Sequence, residues 1–187
     1  MNSAYSLWLM PCAADMSVLG DVVDRLAPEF GQPGFVPHVT IQGDMEIALD
    51  RLAAHAGALA AACAAQRWPV HDVECSDHFF RCLYLRFQTT PLFEELQRAA
   101  QACSGTASGL SPYPHLSLAY GQMRPQQGAL VDALRAQFVG RGLVFDRLTI
   151  CRSSRNLPIA DWECLVDYPL ASDAGANPPG PATTPSA

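Results

Sequence analysis

Residues 37–40 read PHVT and residues 114–117 read PHLS. The chain has five histidines, and two of them stand in this one small frame, after a proline and two places before a hydroxyl residue. In a β-strand the side chains at i and i+2 share a face. The pattern therefore points His38, Thr40 and Gln42 one way and Val39 and Ile41 the other. In the second frame His115 and Ser117 share a face, opposite Leu116 and Leu118. A half-exposed strand also alternates polar with apolar residues. That alone does not account for the same imidazole–hydroxyl pair appearing twice in the same order.

The chemistry such a pair can do is specific. In-line displacement at a phosphodiester needs a base for the attacking water and an acid for the leaving oxygen, on opposite sides of phosphorus. Histidine suits both roles, because its ordinary pKa of about 6.5 makes either protonation state accessible near neutrality. The hydroxyls of Thr40 and Ser117 can donate to non-bridging phosphate oxygens as charge builds. No carboxylate shares either frame, and no H-E-x-x-H or C-x-x-C spacing occurs, so the reading calls for no metal and no cofactor.

Composition narrows the alternatives. The chain has 187 residues, 49% hydrophobic and 16% charged, which is a globular composition with material for one sizeable core. The formal charge is −6, so long nucleic acid is not an expected partner, while a small anion held by local groups is. All 12 basic residues are arginine. A Schiff-base lysine, a P-loop lysine and a lysyl–nucleotide intermediate are thereby excluded. Seven scattered cysteines and an N-terminus without a basic, then apolar, leader indicate reduced thiols in a cytoplasmic protein. No apolar run reaches the length of a membrane span.

The elements that must position the frames follow from periodicity and breakers. YSLWLMP (5–11) is a first strand, and Asp15 is placed to cap a helix whose face is Leu19, Val22, Val23, Leu26 and Phe30, closed by Gly31. FVPHVTIQG (35–43) is the next strand. A helix over 45–66 follows, ended by Trp68-Pro69. Strands are expected at 70–75 and 79–88, and Thr90-Pro91 is a helix start with hydroxyl cap and N1 proline. The stretch 104–112 reads as a mobile loop leading into PYPHLSLAYG (112–121). Pro125 opens a last helix ending near Gly140, and strands at 142–152 and 160–166 complete the order. Residues 1–170 form one bilobal domain with a histidine frame in each half, and 171–187 a disordered tail rich in proline, alanine and glycine.

The two H-x-[ST] frames resemble those of the two-histidine phosphoesterase superfamily. Together with YSLWLMP, FVPHVT, FFRCLYLRFQTTP, PYPHLSLAYG and TICRSS…DWECLV, in that order, they make the chain similar to the cyclic phosphodiesterases of plants and yeast. The resemblance implies an α+β, two-lobed fold, with antiparallel sheets facing a central cleft and helices outside. It implies a metal-independent hydrolase, a 2′,3′-cyclic-nucleotide phosphodiesterase, expected as a monomer acting on a small cyclic phosphate. The substrates would be nucleoside 2′,3′-cyclic phosphates, opened to 2′-phosphates, or ADP-ribose 1″,2″-cyclic phosphate. The matched catalytic positions are His38 and His115, with Thr40 and Ser117 on the phosphate. Opening toward the 2′-phosphate suggests His115 as base and His38 as acid.

Trp8, Phe79, Phe80 and Tyr120 match family aromatics that line the cleft, or else belong to the core. Strict alternation puts Tyr120 opposite His115, on the core side. Arg81 and Arg86 are the arginines best placed to meet an anion, His78 sits next to the phenylalanine pair, and His55 is expected in solvent. Two rival readings stand beside this one. One is an RNA-terminal cyclic phosphodiesterase of the same superfamily, and the other a non-catalytic module that binds a nucleotide phosphate.

Overall fold

The computed structural model describes residues 4–171. The expected tail, apart from Ala171, lies outside the described residues. Seven strands and four helices alternate along the chain: β1 (Tyr5–Pro11), α1 (Ala13–Phe30), β2 (Val39–Met45), α2 (Leu49–Ala62), β3 (Gln66–Cys75), β4 (Leu83–Phe87), α3 (Pro91–Ser104), β5 (His115–Ala119), α4 (Gly128–Phe138), β6 (Gly142–Arg152) and β7 (Glu163–Pro169).

All strand pairs are antiparallel, and their order β1-β2-β5-β4-β3-β6-β7 is joined by a further β1–β6 pairing. Six strands thus close into a ring, which protects the edges that an open sheet would expose. Strand β6 makes the closure. Its start (Gly142–Phe145) pairs with β3, and its remainder pairs with β1 and β7. Around this ring β1 and β2 lie on one side of β6, and β3, β4 and β5 on the other. The two groups meet on the far side from β6 in a single β2–β5 pair, Val39 with Leu116.

Alternation fills the core. Leu7 and Leu9, Val39 and Ile41, Leu83 and Leu85, and Leu116 and Leu118 are fully buried in one cluster with the apolar faces of the helices. Helix α1 contributes Leu19, Val22, Leu26 and Phe30 to it. Each such side chain is worth about 1.5–3 kcal/mol of burial. Trp8 and Met10 alternate to the opposite face, where they pack with Cys151, Met16 and Trp162.

Several boundaries differ from expectation for physical reasons. Asp15 is not the cap of α1. Cys12 holds that position, and Asp15 in the first turn accepts from Val144 N at 2.8 Å and Arg141 Nη2 at 3.0 Å. Burial raises its pKa, but these bonds outweigh it and the carboxyl titrates below its ordinary value. Trp68-Pro69 does not end a helix but lies in β3. The proline is tolerated because it sits where the strand passes from pairing with β6 to pairing with β4. Phe79–Arg81 form a 3₁₀ turn before β4 rather than part of the strand. Thr90 caps α3 as expected, accepting from Phe93 N at 3.2 Å. His55 is half-buried rather than fully in solvent, with its Nε2 buried on α2 without a hydrogen-bond partner.

All seven cysteines are free thiols. Cys151 and Cys164 face each other across β6–β7 with their sulfurs 3.1 Å apart.

Candidate active site

The single β2–β5 contact organises the site. Because Val39 pairs with Leu116 and the strands are antiparallel, His38 comes opposite Ser117 and Thr40 opposite His115. Val39 and Leu116 point into the core with no exposure, so their four neighbours turn to the other face. All four line one cleft of about 440 Å³. Each imidazole is thus set beside the hydroxyl of the other frame.

The prolines acquire a role at this point. His38 Nδ1 lies 2.6 Å from the Val36 carbonyl oxygen, and His115 Nδ1 lies 3.0 Å from that of Tyr113. In both frames the acceptor is the carbonyl immediately before the proline. A carbonyl can only accept, so in both rings Nδ1 carries the proton and Nε2 is left as the free nitrogen. The intervening Pro37 and Pro114 hold φ at about −65° and offer no N–H to compete. Ser111 Oγ, 3.2 Å from His115 Nδ1, strengthens the second copy.

Burial pushes the His38 pKa down to about 4, with repulsion from His115 adding to it and the bond to Val36 opposing it. His115 is also pushed down to about 4, chiefly by burial and then by Arg81, Arg86 and His78, against the bond to Tyr113. Both rings are therefore neutral at pH 7. Their surroundings differ. His38 stacks flat on the Trp8 indole, with centroids 3.6 Å apart and planes at 6°. His115 meets the edges of Tyr84 and Tyr113 instead.

Two irregularities re-aim side chains that simple alternation misplaces. In β2 the register with β1 slips by one residue between Thr40 and Gln42. The bulge turns Gln42 away from the cleft into the interior, where its amide donates to the carbonyls of Thr106 at 2.9 Å and Ser108 at 2.7 Å. In β5 the slip falls between Ser117 and Ala119. It brings Tyr120 back to the side of His115, so Tyr120 lines the cleft rather than the core. Its ring stacks on Phe35 at 3.9 Å and meets Phe80 and Trp162 edge-on.

The remaining expected positions divide. Trp8, Phe79, Phe80 and Arg81 all line the cleft. Arg86 does not; it lies 3.6 Å over the Tyr113 ring and reaches the Pro114 carbonyl, holding the chain that leads into His115. Ser117 Oγ donates to the Phe80 carbonyl at 2.9 Å, tying the frame to the aromatic turn. The stretch 104–112 is pinned rather than loose. Besides the Gln42 bonds, Gly43 N donates to Gly109 O at 2.8 Å and Gln97 Nε2 to Ser111 O at 2.5 Å.

Sequence reasoning missed Asp44, Ser153, Ser154, Arg155 and Trp162, which all line the cleft. Only the similarity of the TICRSS…DWECLV stretch pointed toward some of them. Among the described residues no group of three His, Cys, Asp or Glu side chains is placed to hold a metal ion, and no helix is long and apolar enough to cross a membrane.

Known proteins of similar sequence and fold bear on this arrangement. A family model described as cyclic phosphodiesterase-like protein matches residues 1–165. The cyclic phosphodiesterase of Arabidopsis thaliana is 27% identical over 173 residues, covering 88% of this chain and 94% of that protein. In fold, the chain is similar to Escherichia coli LigT in its apo form, with a TM-score of 0.61, 14% identity and coverage of 90% and 98%. The Thermus thermophilus protein TT0787 gives 0.61 and 14%, covering 91% and 99%. LigT has also been solved in complex with 3′-AMP, and that structure matches with a TM-score of 0.55, 14% identity and coverage of 90% and 98%. At these identities the structures speak for the fold alone. The family match spans nearly the whole described chain, and the chain belongs to the cyclic phosphodiesterase-like protein family.

Proposed function

We propose that the protein hydrolyses cyclic phosphodiesters by acid–base catalysis between His38 and His115, with Thr40 and Ser117 holding the phosphate. The observation that carries this reading is the Val39–Leu116 register, which apposes the two frames across one cleft and leaves Nε2 of each ring free. A phosphate between them meets a nitrogen on either side, as in-line displacement requires. Family membership supports the same reaction class.

The surroundings of the two rings support distinct roles. Burial, with Arg81 and Arg86 adding to it, keeps His115 neutral before the reaction, so its Nε2 is available to take the proton from the attacking water. His38 rests on the indole face of Trp8, where an imidazolium is favoured by the ring quadrupole. It gives its proton to the leaving 3′-oxygen. The P–O3′ bond breaks as the bond from water forms, and the product is a 2′-phosphate. Thr40 donates to a non-bridging oxygen directly. Ser117 exchanges its bond to the Phe80 carbonyl for one to the phosphate. The aromatic wall of Phe79, Phe80, Tyr120 and Trp162 gives the base or sugar a stacking surface.

A ³¹P NMR time course with adenosine 2′,3′-cyclic phosphate and ADP-ribose 1″,2″-cyclic phosphate, in excess chelator, tests the reading. Conversion of at least one substrate is expected, with the nucleotide giving the 2′-phosphate. Binding without turnover of either would favour the non-catalytic module.

A further inference from the structure

The two frames account for one phosphate, yet the cleft carries cations they do not use. Arg81 and Arg155 both line it, and the only carboxylate among the lining residues is Asp44. That carboxylate is already engaged: Arg155 Nε donates to Oδ2 at 2.7 Å and Arg155 N to Oδ1 at 3.0 Å. The side-chain bond holds the guanidinium by its Nε side. Its two terminal nitrogens have no protein acceptor among the described residues and form the fork that suits a phosphoryl group. Asp44 reaches this position with a φ of 51°, in the left-handed region, next to a slip in the β1–β2 register. Such strain at a non-glycine residue is characteristic of positions with a job to do.

Arg81 is the complementary case. Its side chain makes no ion pair or hydrogen bond among the described residues, and its Nε is buried without a partner. Its backbone N–H closes the 3₁₀ turn on the carbonyl of His78, the residue before the turn, whose pKa burial, Arg81 and Arg155 together lower. Both arginines therefore lie within electrostatic reach of His78, on the same cleft. The cleft wall thus carries two guanidiniums against the one carboxylate, Asp44, and this excess of positive charge, in a protein of net charge −6, suits an anionic ligand.

We propose that Arg155, buttressed by Asp44, and Arg81 form a second anion subsite that takes a phosphoryl group of the substrate other than the reacting one. The inference rests on the cyclic phosphodiesterase reading and narrows it to substrates carrying a second phosphate, such as a nucleoside 2′,3′-cyclic phosphate phosphorylated at its 5′-oxygen.

Product binding tests this without relying on turnover. The affinities of adenosine 2′-phosphate and adenosine 2′,5′-bisphosphate are compared by titration calorimetry at fixed salt, for the wild type, Arg155→Met and Arg81→Met. The bisphosphate is expected to bind the wild type at least about tenfold more tightly, as one charge-assisted bidentate contact allows. That preference should shrink toward unity in Arg155→Met, whose side chain is on the surface and whose loss does not threaten the fold. A dinucleotide ending in adenosine 2′-phosphate supplies the same 5′-phosphate as a diester. If it matches the bisphosphate, the subsite takes an RNA-type internal phosphate; if it falls short, a free monoester. Equal affinities in the wild type, or a preference that survives in both variants, would overturn the subsite while leaving the paired-histidine reaction intact. Failure of the reaction itself would show instead in the ³¹P time course.

Discussion

At the scale of single residues, the site depends on two imidazoles kept neutral by burial and oriented by the same backbone device. The pH dependence follows. Burial lowers each histidine's pKa to about 4 in the free protein, and the proposed reaction needs one ring protonated and one not. The profile of kcat/KM should be bell-shaped with its maximum on the acid side of neutrality. A bound phosphate anion favours imidazolium, so the profile of kcat should lie at higher pH than that of kcat/KM. Identical profiles, or flat ones with chemistry rate-limiting, would contradict this electrostatic account. In the proposed mechanism, substituting Thr40→Val or Ser117→Ala removes a donor to the phosphate and should lower kcat by about 10²-fold. A change confined to KM would assign those hydroxyls to ground-state binding instead.

At the scale of elements, the slips in β2 and β5 matter more than the strands' regular parts. Gly109 shows the tolerance involved. Its φ is 77°, and a Cβ there would collide with the Gly43 carbonyl. Gly109→Ala should therefore force 104–112 off β2, raise amide exchange in that stretch and lower the melting temperature. Unchanged exchange would mean that the loop does not depend on this close approach. The same elements mark what could be read from sequence. The histidine frames were legible because proline, imidazole and hydroxyl are fixed by local spacing. The helices were legible from 3.6-residue periodicity, and Thr90-Pro91 from its capping chemistry. Gln42 and Tyr120 were misplaced because a one-residue bulge inverts every later side chain and leaves no local mark. Asp44 and Arg155 were missed because they are far apart in sequence and meet only through the β1–β2 and β1–β6 pairings.

At the scale of the whole molecule, closing six strands through β6 leaves β2 and β5 joined at a single pair, Val39 with Leu116, and the proposed chemistry sits at that seam. The arrangement costs stability in acid. In the unfolded chain each histidine titrates near its ordinary value of about 6.5, against about 4 when folded. Between those values the unfolded state binds more protons, so stability falls as pH drops from about 6.5 to about 4. Asp15, Asp44 and Asp72, whose pKa values are lowered, lose their contribution only below that window. The melting temperature should decline over this range, and His38→Asn should flatten the decline. An equally steep decline in that variant would mean that burial does not depress His38. The central claim is that the seam brings one acid and one base to a single phosphate, and its most direct test is the turnover of a 2′,3′-cyclic nucleotide by His38→Ala and by His115→Ala, each shown to be folded. The account predicts that each substitution lowers kcat by about 10²- to 10⁴-fold, the usual range for a lost acid or base. Near-wild-type turnover by either variant would contradict it.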